Sequence, residues 1–217
     1  MNRSDLEQLN SIPYFTTESI KQLWSESNVE DATVRTALSR WMKAGQVISL
    51  KKGVYMPRRF VELHRGDADF SAAVSAILLP QSYMSLEFVL QRHAILTEVT
   101  YPVSAVTTLN TRVIENGLGT FTYRHVKIDL FSGFAIAEYH GIRFAMASVA
   151  KALFDYLYLR PWGGTVRAST NLAEELRLNL DELSTADRDE FAGYVDDTGL
   201  TKMKRILSNL RNTTWRH

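Results

Sequence analysis

Between Ala32 and Val61 the chain carries no acidic residue, while Arg35, Arg40, Lys43, Lys51, Lys52, Arg58 and Arg59 are all basic. The hydrophobic period changes in the middle of that stretch, and the change restricts what it can fold into. Val34, Ala37, Leu38, Trp41 and Met42 recur at three- and four-residue spacing behind the candidate caps Asn28 and Asp31. This predicts a helix of about three turns with one apolar face. Thr33, Arg35, Thr36, Ser39, Arg40 and Lys43 fall on the other face. Gly45 stands where a helix C-terminus needs a left-handed residue. Val47 to Leu50 then reads as a short β-branched strand, Lys51-Lys52-Gly53 as a turn, and Val54 to Met56 as the return strand ending at Pro57. Helix, sharp reversal and basic-tipped hairpin is the outline of a winged helix, in which one helix enters a DNA major groove and the hairpin touches the backbone beside it.

The one-sign surface strengthens that reading, because cations that contact phosphates release counterions from the duplex. Thr33, Arg35, Thr36, Ser39, Arg40 and Lys43 are therefore the candidate DNA-binding residues of the helix, with Lys51, Lys52 and Gly53 at the wing. Two alternatives stand beside it. A solvated helix face with an ordinary hairpin has the same pattern, and winged helices also serve as protein-binding modules.

Upstream, Ser4 is placed to cap a short helix over Asp5 to Leu9, with Glu7 completing a capping box. Ile20, Leu23 and Trp24 give a second helix its buried stripe. The expected core of this first unit is Leu6, Leu9, Phe15, Ile20, Leu23, Leu38, Trp41, Val47, Leu50 and Tyr55. A unit of about 60 residues is marginal alone, so residues 1–62 should lean on the rest of the chain. Arg58 to Asp69 is polar and mixed in charge without being Gly/Ser-rich, which argues against a loose tether.

Residues 63–217 read as a second, α+β domain. Phe70 to Leu79 predicts a helix closed by Pro80, and Leu86, Val89 and Leu90 predict another ending near Arg92-His93. Alternation then takes over. Strands are expected at Val99 to Thr107, at Phe121 to His125, at Ile128 to Phe131, at Ala135 to Glu138 and at Ile142 to Met146, giving a mixed, mostly antiparallel sheet of four to six strands. Ser148 caps the clearest helix of this half, with Val149, Ala152, Leu153, Tyr156 and Leu157 on its apolar face. Lys151 falls on the opposite side; Asp155 follows four residues on, and with the lysine N-terminal, the less favourable order, their pairing is worth at most about 0.2–0.5 kcal/mol. Residues 165–217 form a helical subregion, with helices expected over Thr170 to Leu180, Thr185 to Val195 and Thr201 to Leu210. Its acidic first part turns basic near the end, so the whole 217-residue chain has a formal net charge of only +1.

The chain has no cysteine, which excludes disulfides and thiolate chemistry. Its five histidines lie outside the short spacings of zinc peptidases and zinc fingers. No Gly-rich phosphate loop or GxSxG elbow occurs. Asp129 and Glu138 on expected strands, with Lys151 further along, offer a remote metal-dependent nuclease reading, but no lysine sits on the neighbouring same-face position. No enzyme activity, catalytic residue, metal or cofactor is expected. The first residues lack the apolar core of a signal peptide and no run reaches the length of a membrane span, so a cytoplasmic location without membrane contact is expected.

Two stretches carry a family resemblance. The run TVRTALSRWMKAGQVISLKKGVY resembles the winged helix of AbiEi-type antitoxins and related regulators of type IV, abortive-infection toxin-antitoxin systems. SYMSLEFVLQRHAI, then strand-rich sequence and then FAMASVAKALFDYLYLRP, is similar to that family's central helix and to its Ala-Ser-x-x-Lys-Ala-Leu-x-Asp helix. Together they span Thr16 to Pro161. The resemblance implies an autoregulatory repressor that binds inverted repeats of double-stranded DNA in its own promoter, functionally paired with a nucleotidyltransferase toxin. Under it, Thr33, Arg35, Thr36, Ser39 and Arg40 match the recognition helix and Lys51, Lys52 and Gly53 the wing, while Lys151, Leu153 and Asp155 match the second-domain helix. The reading of a different class is a protein-binding or toxin-neutralising module whose winged helix does not read DNA.

Overall fold

The structure is a computed structural model that describes residues 7–24, 30–97, 102–162 and 171–216. The expected caps Ser4 and Asn28, the core position Leu6, the strand start at Val99 and the helix start at Thr170 lie outside those residues.

Residues 7–9 are helical and lead into β1 (Phe15–Thr16), α1 (Thr17–Leu23), α2 (Asp31–Lys43), β2 (Val47–Lys51) and β3 (Val54–Pro57). The three strands form one antiparallel sheet in the order β1-β3-β2, so β1 closes the free edge of the hairpin. This is a winged-helix-like arrangement. Thr16 starts α1 through a capping box with Ser19, each side chain bonding the other residue's backbone N–H. Helix α2 buries Val34, Ala37, Leu38 and Trp41 against Leu9, Phe15, Ile20 and Val47. Each large aliphatic among them contributes about 1.5–3 kcal/mol of burial. Gly45, at φ +68, takes the left-handed turn that ends α2 and sends the chain into β2. Two expected core residues differ: Leu23 is 38% exposed, and Met42, assigned to the apolar face of α2, is 40% exposed. Both sit at the last turn of a helix, beyond the reach of the small core. Tyr55 is half-buried, stacked on Phe15.

The hairpin runs into the next element without a spacer. Pro57 pairs with Val47 as the last residue of β3 and is also the N-cap of α3 (Arg58–His64). The expected polar junction is thus a helix, and a boundary after residue 62 falls inside it. Phe60 and Val61 of α3, with Leu50 and Met56 of the hairpin, belong to the same core as the second half of the chain.

That half comprises α4 (Phe70–Leu78), β4 (Ser82–Met84), α5 (Leu86–Arg92), β5 (Val103–Thr107), β6 (Arg112–Asn116), β7 (Gly119–His125), β8 (Phe134–Tyr139), β9 (Ile142–Ala147), α6 (Val149–Leu159), α7 (Leu172–Glu175), α8 (Thr185–Thr198) and α9 (Thr201–Thr213). Its six strands run in the order β6-β7-β5-β4-β9-β8. Pairing is parallel for β4 with β9 and β5 with β7, and antiparallel elsewhere, so the architecture is α+β with a mixed sheet. Ile128 to Leu130, expected as a strand, is a short 3-10 helix. Its apolar residues do not alternate between faces: Leu130 is buried and Ile128 is 72% exposed.

Helix α6 departs most from expectation. Ser148 caps it as foreseen, accepting from the Lys151 N–H. Yet Lys151, on the side assigned to solvent, and its neighbour Asp155 are 1% and 0% exposed. The reason is that α6 is sandwiched, with α5 packed on one flank and α8 on another, so no face is left to water. Trp162 ends it by donating its indole N–H to the Leu157 carbonyl.

Candidate nucleic-acid interface

On α2, Thr33, Arg35, Thr36, Arg40 and Lys43 are exposed and Ser39 is half-buried. The Thr36 hydroxyl donates back to the Ala32 carbonyl at 2.8 Å, so its free capacity is as an acceptor. Asp31, the acid of the first turn, is tied to Lys21 of α1 at 2.7 Å. That hydrogen bond, more than the accompanying charge attraction, holds the Asp31 carboxyl below its ordinary range. The pairing engages the acid of the first turn, while Glu30 at the N-cap stays exposed. Among the described residues, Arg35, Arg40, Lys43 and Lys52 make no ion pair or side-chain hydrogen bond. The sequence-assigned helix residues therefore come together on one exposed, positively charged face.

The wing behaves differently. Lys52 is exposed at the tip and Gly53, at φ +76, makes the turn while its carbonyl accepts from the Thr17 N–H. Lys51 points the other way. Its Nζ donates to the carbonyls of Ile77 and Leu78 at 2.8 and 2.9 Å, satisfying acceptors left over at the C-terminus of α4. Burial there pulls its pKa down. Lys51 thus docks the hairpin on the second half, helped by the Asn116 amide, which donates to the Leu50 carbonyl at 3.1 Å. Lys51 is the last residue of β2 and Lys52 lies in the turn, so the two side chains diverge and only Lys52 stands exposed at the tip. Behind the hairpin a cavity of about 590 Å³ opens between β2, α3 and the β6–β7 turn, with Arg58 and Arg65 in its wall. Arg58 is engaged there, donating to the Gly45 carbonyl at 2.8 Å.

The second half holds its charge inside. Lys151 Nζ lies 2.6 Å from Asp155 Oδ1 and donates to the Leu130 carbonyl at 2.9 Å. The hydroxyls of Tyr83 and Ser85 both donate to Asp155 Oδ2 at 2.8 Å. Burial pushes the Asp155 carboxyl up, against the pull of Lys151 and the two hydroxyls. Gly133 sits over this group at φ +76, where a Cβ would run into the Tyr194 hydroxyl and the Lys151 side chain. The Lys151 ammonium is thus engaged by Asp155 and the Leu130 carbonyl, and Asp129 lies on the 3-10 helix instead of a strand.

One polar cluster was not legible in the sequence. His64 at the end of α3, Asp67 just beyond it and His140 in the β8–β9 turn meet at the surface. The His64 Nδ1 to Asp67 Oδ2 distance is 3.0 Å, and Tyr139 donates its hydroxyl to the same oxygen. These bonds, that of Tyr139 first, hold the Asp67 carboxyl below its ordinary range. The His64-x-x-Asp67 spacing was the local signal; its third member lies 76 residues away in sequence.

Compared with known proteins, the chain matches no protein-family model and no curated protein sequence. Among the described residues no helix is long and apolar enough to cross a membrane.

Proposed function

We propose that the protein is a sequence-specific DNA-binding transcriptional regulator that reads duplex DNA with α2, in the manner of an autoregulatory repressor of the type IV antitoxin kind. The observation that carries this reading is the exposed face of α2, where Arg35, Arg40 and Lys43 stand without internal partners. Charged groups held by the fold are unavailable to ligands, and these are not held. In a major groove, Arg35 near the helix start is placed to reach a guanine edge, whereas Arg40, nearer the middle, could touch either base or phosphate. Lys52 supplies a phosphate contact from the wing and Lys51 does not. The double-stranded DNA partner would be a promoter inverted repeat, and the resemblance adds a nucleotidyltransferase toxin as functional counterpart.

The protein-binding alternative draws on one observation, the withdrawal of Lys51, which among the described residues leaves the wing with Lys52 as its one free cation. Anisotropy titrations of the full chain with its own promoter duplex and a scrambled duplex, across a salt series, separate the two. A regulator binds the promoter more tightly and loses affinity steeply with salt. Equal, salt-insensitive binding to both duplexes, or none, overturns the proposal.

A further inference from the structure

We propose that His64, Asp67 and His140 bind one divalent first-row transition-metal ion of the zinc class. Each residue offers one donor atom, and the three atoms lie within 4.8 Å of one another. Ligands at zinc-to-nitrogen and zinc-to-oxygen distances of about 2.0–2.2 Å stand roughly 3.4 Å apart, so side-chain rotations of about an ångström close the set. The donor chemistry selects the ion. Two imidazoles and one carboxylate suit zinc, nickel or cobalt, whereas calcium and magnesium call for several oxygens, and the absence of cysteine disfavours copper(I).

The surroundings hold the ligands in place. The His64 and His140 rings are 4.3 Å apart between centroids, and Phe60 packs against both, at 4.5 and 5.5 Å. His140 occupies the first position of a two-residue turn, where it and Gly141 both have positive φ, +49 and +78. Histidine is among the residues that tolerate that conformation, and the turn fixes the direction of its side chain. Asp67 is in a short loop pinned by Arg92, which bonds the Ala68 carbonyl and the Asp69 carboxylate, both at 2.9 Å. The Tyr139 hydroxyl on Asp67 is the kind of outer hydrogen bond that orients a ligating carboxylate. Three protein ligands leave at least one position for water. Because α3 starts directly at the end of the hairpin, the ion would clasp the far end of that helix to the sheet's β8–β9 turn. The site is independent of whether DNA is the partner of α2.

The test uses the untagged 217-residue chain, stripped of metal and titrated with zinc by calorimetry, with cobalt absorption in the visible range as a second readout. One equivalent is expected to bind saturably and raise the melting temperature. His64→Gln and His140→Asn, the latter chosen because asparagine keeps the turn, are each expected to weaken zinc binding by ~10-fold or more and to abolish the metal-induced rise above their own metal-free melting temperature. Tyr139→Phe is expected to weaken binding less while leaving the stoichiometry intact. The absence of saturable binding to the wild-type protein overturns the assignment. So does binding that both histidine variants leave unchanged, since zinc would then reside on His93, His125 or His217.

Discussion

The two halves of this molecule treat charge in opposite ways. Among the described residues of the winged-helix unit the core holds no buried charge, being built on Leu9, Phe15, Ile20, Val34, Leu38, Trp41 and Val47, and the arginines of α2 project outward without partners. In the sheet domain an ammonium and a carboxylate lie at the centre of the core and consume each other. The contrast teaches that sequence position says little about the purpose of a charge. What separates a structural cation from one available to a ligand is whether the fold has already given it acceptors. Lys51 and Lys52, adjacent in sequence, fall on opposite sides of that line.

The largest effect should come from breaking the buried pair. Lys151→Ala leaves Asp155 buried without its counter-ion, and should cost about 3–5 kcal/mol in chemical unfolding. Replacing both residues, as Lys151→Met with Asp155→Leu, should recover most of that loss, although Tyr83 and Ser85 then lack an acceptor. If Lys151→Ala were as mild as a surface change, the contrast between the halves would collapse.

Leu153→Ala comes next, at about 2–5 kcal/mol, because its side chain is fully buried. The hairpin residues Leu50 and Met56 share that core, so fluorescence and circular dichroism should report one coincident transition. Two separated transitions would show that the halves fold independently.

Arg35→Ala should leave stability within about 0.5 kcal/mol and remove roughly 1–3 kcal/mol of discrimination between promoter and scrambled duplex. An unchanged affinity ratio would reject Arg35 as a base reader. The smallest effects sharpen the lysine comparison. Lys52→Glu should weaken binding to any duplex and lower the salt slope by about 1, with little change in stability. Lys51→Met should leave that slope alone and cost about 1 kcal/mol of stability, moderated by solvent around the half-buried side chain.

Much of the fold could be read from periodicity. The stripes of α2 and α9, the cap Ser148, and the turn at Gly45 all declare themselves locally. Strand β6 does not, because an outer strand with Arg112, Val113 and Glu115 exposed shows no apolar alternation. Strand β4 is only three residues long and buried throughout, which removes its period altogether. A helical wheel puts Lys151 on the solvent side because it cannot show that a helix is covered on several sides. The helix face of the candidate interface was legible for a simple reason: exposed charge on one face is a property of the helix itself. The orientation of Lys51 and the meeting of His64 with His140 depend on how distant segments pack, and no local pattern encodes that.

Pro57, last residue of a strand and cap of the next helix, leaves the chain no hinge between hairpin and sheet domain. A reading head on a loose tether gives up rotational freedom when it docks, and that loss is subtracted from its contacts. Here the freedom is already gone in the folded chain. Whatever α2 engages therefore meets a preset angle, and a target of the wrong spacing cannot be accommodated by bending at this joint.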